Sequence, residues 1–296
     1  MWSELMLDIL QYEFMRNAIA AGILASVACG MIGVYVVLKK IVFLSDGITH
    51  ASFGGIGLGY FLHINPVDAL LPFSIVSAVA MYIATKLTKA YEDTAIGILL
   101  ATGMAIGIIF VYLTPGYAPD LMTYLFGNIL MVPLSDLLMM VGLDIVIILL
   151  VIVFYHELQA LCFDEEYMRI SGRNSNAYYL LLLCMVAVYT VIMVRVTGII
   201  LNITLLTIPA IISHKFVSSM KLMFAFSVIQ GIIYVLSGLW LSYILNLPSG
   251  ATIVIVMTAA YGTIIIVKSA HEKLVIPRNG QSSKRRYLSS LTYKNK

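Results

Sequence analysis

Asp46 and His50 stand four residues apart in FLSDGITHASFGGIGLGY (43–60), a stretch with no other charged side chain. On a helix this spacing puts both groups on one face, one turn apart. A carboxylate oxygen and an imidazole nitrogen together suit a borderline divalent cation such as zinc, manganese or ferrous iron. Ionisable groups inside a membrane are costly and mark an ion path, a proton relay or a buried pair. An Asp–His hydrogen bond that merely steadies a helical bundle would use the same two residues, and the residues alone leave both readings open. Gly47, Gly54, Gly55, Gly57 and Gly59 thin one surface of the stretch, so that another helix can approach it closely.

The elements that must position this pair are membrane helices. The chain is 61% hydrophobic and 11% charged over 296 residues, with a mean hydropathy of +0.97. Soluble domains carry about 25% charged residues, too many for this chain to match. Helices that cross a bilayer need roughly 17–25 apolar residues. Such spans fall at 17–38, 41–62, 67–85, 94–113, 137–155, 177–194, 197–212, 222–245 and 251–267. The expected fold is therefore all-α, a polytopic helical membrane protein of eight or nine crossings. The seventh span is short and holds Gly198 and Pro209, which suits a broken or re-entrant segment. Between the fourth and fifth spans, TPGYAPDLMTYLFGNILMVPLSD reads as a loop with an interfacial or half-inserted helix.

Charge sets the orientation. With nine crossings, sixteen of the eighteen Lys and Arg residues fall on one side and only Arg16 and Arg195 on the other. The positive side is cytoplasmic, which places the N-terminus outside and the C-terminus inside. Residues 1–267 read as the membrane domain, of which 1–13 reads as an interfacial amphipathic helix without a cleavable signal. Residues 268–296 read as a basic, disordered cytoplasmic tail. Cys29, Cys162 and Cys184 have neither metal-site nor disulfide spacing and read as packing residues.

Two cytoplasmic stretches are too structured for plain connectors. In LCFDEEYMRISG, Asp164, Glu165 and Glu166 precede Arg169 at helical spacing, a short charged helix that Gly172 ends. In PAIISHKFVSSMK (209–221), Pro209 is expected to break the preceding helix and leave an apolar loop carrying His214 and Lys215. Asp144 lies within the fifth span and is read as paired or facing an outer vestibule. His63 and Asp68 flank an outer loop. Asn202 opens an N-x-T triplet inside an apolar span, where glycosylation is a chance match. The chain has no Gly-Lys dipeptide and hence no phosphate-binding loop of the usual type. Nor does it carry a HExxH or Rossmann signature. Any active transport draws its energy from a partner or from an ion gradient.

These residues resemble the permease subunits of the ABC importers for zinc, manganese and iron, the ABC-3 family. FLSDGITHASFGGIGLGY (43–60) carries the most specific part of the likeness. YLFGNIL (124–130), FDEEYMRISG (163–172), VTGIILNITLLTIPAIIS (196–213) and LPSGATIVIV (247–256) extend it over nearly the whole chain before the tail. Thr49 departs mildly from the family, which usually has Ser there, and some relatives have Gly in place of Asp46. The resemblance implies a fold similar to the vitamin B12 and siderophore importer permeases. It further implies a homodimer, two cytoplasmic ATP-binding subunits and an extracytoplasmic metal-binding protein, in the inner membrane of a bacterial or archaeal cell. It assigns Asp46 and His50 to the transported metal and places ATP on the partner, with no cofactor on this chain. It turns Asp164, Glu165, Gly172, Pro209, His214 and Lys215 toward the ATPases. A nucleic-acid partner is not expected. Two other readings are a gradient-driven metal or proton transporter and a same-fold permease for a corrinoid or siderophore.

Overall fold

The computed structural model describes residues 11–87, 92–115, 122–196 and 198–275. Every regular element among them is helical: α1 (Glu13–Lys39), α2 (Val42–Ala51), α3 (Phe53–Phe61), α4 (Pro66–Leu87), α5 (Glu92–Leu113), α6 (Met122–Phe126), a 3-10 turn (Ile129–Met131), α7 (Leu134–Val153), α8 (Tyr155–Phe163), α9 (Glu165–Ile170), α10 (Ser175–Val196), α11 (Gly198–Phe216), α12 (Met220–Leu245) and α13 (Ser249–Val275). Seven of these are long and apolar enough to cross a membrane. The chain divides into two compact units, 1–257 and 258–296. In the second, the last helix runs on to Val275, so the tail expected from residue 268 begins as helix. Residues 276–296 and the interfacial helix expected at the N-terminus, apart from residues 11–13, lie outside the described residues.

In the first unit α1 is central. It packs most extensively on α12, then on α11, α7 and α10. Its small residues Ala18, Ala21, Ala25, Ala28 and Cys29 are fully or almost fully buried, as expected where membrane helices associate through close backbone approach rather than through water exclusion.

The expected span 41–62 is two helices, not one. The Ser52 hydroxyl donates to the Ile48 carbonyl at 2.6 Å, and the Gly55 amide bonds back only three residues, to Ser52. Such back-bonding by serine bends helices, and Gly54 and Gly55 follow immediately. α3 then seats itself against α5. A β-carbon on Gly57 would stand 2.2 Å from the Gly107 carbonyl oxygen and 2.7 Å from its Cα. Backbone cannot yield as a side chain does, so Gly57→Ala should destabilise by about 1–3 kcal/mol. Gly142→Ala, with nothing within 4 Å of the added carbon, should be neutral or slightly stabilising. Thermal unfolding of the two variants in detergent checks the contrast.

The seventh expected span corrects the reading of Pro209. α11 runs unbroken from Gly198 to Phe216 with Pro209 inside it. Proline removes one intrahelical bond, yet α11 is enclosed by α1, α2, α6, α10 and α12, and membrane helices held by neighbours tolerate that loss. The apolar loop expected at 209–221 shrinks to residues 217–219, because His214 and Lys215 form the last turn of α11. The α11 start is also fixed. Gly198 has φ +73°, and a β-carbon there would meet the Gly127 amide nitrogen at 2.3 Å. Two stretches that carry the family likeness, 124–130 and 196–213, therefore touch through bare backbone.

Candidate metal centre and cytoplasmic elements

α2 carries the pair. Asp46 Oδ1 and His50 Nε2 lie 3.8 Å apart, and their side chains are 20% and 18% exposed. That separation is too long for a hydrogen bond, which needs about 2.7–3.2 Å. Two ligand atoms at ordinary zinc distances in a tetrahedral site stand about 3.4 Å apart, so a small side-chain movement closes the pair on an ion. His50 Nδ1 has no hydrogen-bond partner among the described residues. Among those residues no cluster of three or more His, Cys, Asp or Glu side chains has metal-holding geometry.

Asp144 is not brought to this pair. It is 3% exposed in α7, and neither of its carboxylate oxygens is hydrogen-bonded. His63 and Asp68 stay on the surface. The Asn202 side chain is 1% exposed and bonded at both ends, which leaves no room for a glycan. The three cysteines are free, and Cys29 is packed inside the bundle.

One side of α2 is held by residues to which the sequence reading assigned no part in the site. Asn202 Nδ2 donates to Thr49 Oγ1 at 2.8 Å, and the Tyr189 hydroxyl donates to Asn202 Oδ1. Thr190 Oγ1 lies 3.2 Å from Thr49 Oγ1. Cys29 Sγ lies 3.4 Å from the Tyr189 hydroxyl and 3.6 Å from Met193 Sδ. A polar pattern such as Tyr189-Thr190 in an apolar span was the available signal.

The expected charged helix is α9. Asp164 caps it, accepting from the Tyr167 amide at 2.8 Å, and Gly172 follows it at φ +75°. Glu165 bonds Arg169 at 2.8 Å and, across the fold, Lys39 Nζ at 2.7 Å. Lys39 also donates to the Leu161 carbonyl at 3.0 Å. The Lys39 hydrogen bond above all, helped by Arg169, holds the Glu165 carboxyl below the usual carboxylate range. Arg173 and Glu157 tie the turn after α9 to α8 at 2.6 Å. Asp164, Glu165 and Gly172 thus belong to one small element, whereas Pro209, His214 and Lys215 sit on α11.

A bundle of apolar helices with an acid–imidazole pair in a bent, glycine-lined segment defines a multi-pass membrane transport protein. The chain matches the ABC 3 transport family over residues 11–268, and it belongs to that family. It is 43% identical to an uncharacterized membrane protein of Synechocystis sp. over 87% of this chain and 92% of the relative. It is 30% identical to the manganese transport system membrane protein MntC of Listeria monocytogenes, covering 86% and 90% of the two chains. It is 27% identical to the high-affinity zinc uptake system membrane protein ZnuB of Haemophilus influenzae, covering 82% and 94%. Among solved structures it resembles PsaBC from Streptococcus pneumoniae with a TM-score of 0.80 and 27% identity, over 88% of this chain and 94% of that one.

Proposed function

We propose that the chain is the membrane-spanning permease subunit of an ATP-driven importer that carries a divalent transition metal, zinc, manganese or iron, into the cytoplasm. The observation that carries this reading is the Asp46–His50 pair, on one face of α2 and too far apart to satisfy each other. The relatives named for manganese and zinc transport point the same way. One chain supplies two ligands, too few for specific capture. In a two-fold homodimer whose pathway follows the axis, each pair meets its copy. The assembled site then has two oxygens and two nitrogens, enough for tetrahedral zinc or for manganese with added waters. Parting the two copies of α2 splits the site and releases the ion, so filter and gate are one structure.

ATP hydrolysis belongs to two cytoplasmic partners, since this chain has no phosphate-binding loop of the usual type. α9, with Asp164, Glu165 and Gly172, and the end of α11, with His214 and Lys215, face those partners, while Pro209 acts from inside α11, buried about two turns before its end. An extracytoplasmic binding protein delivers the metal. The N-terminus lies outside and the C-terminus in the cytoplasm. Vesicles holding the reconstituted complex should take up radiolabelled zinc or manganese without a chelator, and vanadate should stop it. Uptake that ignores vanadate but follows an imposed proton gradient would replace this reading with a gradient-driven one. Uptake only of chelated metal would replace it with a chelate permease.

A further inference from the structure

We infer that Asn202 is a positioning residue for the metal pair, setting the rotation of α2 about its own axis and through it the metal preference of the site. The inference rests on the transport reading above. Asn202 on α11 uses both ends of its amide: Nδ2 donates to Thr49 Oγ1 at 2.8 Å, and Oδ1 accepts from the Tyr189 hydroxyl on α10. Thr49 donates its own proton to the Ser45 carbonyl at 3.0 Å, so its oxygen is left to accept. Thr190 donates likewise to the Val186 carbonyl at 3.0 Å. Thr49, Tyr189 and Thr190 are wholly buried, and Asn202 is 1% exposed. Beyond Tyr189 the chain of contacts ends at Cys29 and the Met193 thioether. A thioether passes no proton onward, so the chain holds a position rather than conducting protons.

Geometry explains why position matters here. At 100° per residue, Asp46 and His50 lie within about 40° of each other around α2, and Thr49 lies roughly 60–100° to one side. Side-chain tips stand about 6 Å from a helix axis, so a 20° roll of α2 would shift the ligand atoms by about 2 Å. Metal–ligand distances tolerate only about 0.2 Å. Apolar packing on the α5 side, Gly47 against Ile96 and Gly103 against Ala51, has no preferred direction and cannot by itself set the roll. A directional hydrogen bond to Thr49 can.

The test compares Asn202→Leu, Thr49→Val, Thr49→Ser and Tyr189→Phe in the reconstituted complex. The readouts are uptake of zinc chloride and of manganese chloride and the melting temperature of the same preparations. Asn202→Leu and Thr49→Val should each raise the KM of the preferred metal about tenfold, the scale seen for groups that orient ligands. They should also bring the zinc and manganese KM values together. Thr49→Ser, which keeps the hydroxyl, should behave as wild type, and the Asn202→Leu/Thr49→Val pair should be no worse than either single change. Tyr189→Phe, which keeps the ring and frees one end of the amide, should shift KM in the same direction by less. If Asn202→Leu does not fold, the two Thr49 variants and Tyr189→Phe decide alone. Unchanged KM values and metal ratio, with flux falling only as folded protein falls, would overturn the inference. Wild-type vesicles that take up neither metal would instead overturn the transport reading.

Discussion

Asp46→Asn and His50→Ala should each reduce metal flux by about two to four orders of magnitude while the assembled complex remains intact. The size follows from the proposed homodimer, in which two charge-assisted contacts would be lost, one per protomer, each worth roughly 1.5–3 kcal/mol. Asp46→Asn keeps the shape of the side chain and removes the charge that offsets a dehydrated cation. His50→Ala takes away one nitrogen per side. A pair that merely steadied the bundle would respond differently, because losing one member leaves the other buried without its partner and folding suffers. The 3.8 Å separation and the partial exposure of both groups argue against that dependence. Flux and melting temperature measured on one preparation separate the two cases: near-normal uptake with a large fall in melting temperature rules out the ligand role.

The second large effect belongs to Lys39 and Glu165. Lys39 closes α1 with only Lys40 and Ile41 between it and α2, and its ammonium holds both the Glu165 carboxylate and the Leu161 carbonyl. It therefore links the element proposed to meet the ATPases to the foot of the helix proposed to bear the metal. Lys39→Met and Glu165→Gln should each cut metal moved per ATP hydrolysed about tenfold, while hydrolysis continues. Stability should fall by only about 1 kcal/mol, since the Glu165 side chain is 37% exposed and keeps Arg169, although that of Lys39, at 17%, is mostly covered. That contrast between coupling and stability is the diagnostic feature. The exchange Lys39→Glu with Glu165→Lys should recover coupling in part only, because Arg169 would then face a like charge. Because the Glu165 carboxyl is held low, its contribution is complete above the ordinary carboxylate range. It disappears as pH falls through the lowered value. An unchanged ratio of metal to ATP in all three variants would place the transmission elsewhere.

What could be read from the chain beforehand was local. The Asp46–His50 face follows from a four-residue spacing, and α9 follows from Asp164, Glu165 and Glu166 set at helical spacing before Arg169 and from the glycine stop at 172, each within one short segment. Pro209 was misread because its effect depends on what surrounds the helix, and five neighbouring helices keep α11 continuous. The bend at Ser52 had a local sign, a serine just before paired glycines, but an apolar run of that length also fits one straight crossing. The Asn202–Thr49 and Lys39–Glu165 contacts join residues 153 and 126 positions apart. No periodicity in the chain specifies which buried amide will meet which hydroxyl, because that depends on how the helices settle against each other.

The breaks at the two ends of α2 have an evolutionary consequence. Lys40 is in the left-handed region at φ 61°, and Ser52 interrupts the helix on the other side, so both proposed metal ligands belong to a ten-residue segment, Val42–Ala51. One backbone contact that seats the crossing, Gly57 on Gly107, lies beyond that segment in α3, and another, Ala51 on Gly103, lies at the segment's end. On the proposed reading, substitutions on the face of Asp46 and His50 would alter which cation is favoured, whereas Gly47, Thr49 and Ala51 on the packed faces are held by Ile96, Asn202 and Gly103. A lineage could drift from one metal to another through a handful of codons, and a laboratory could exchange the same cassette between relatives.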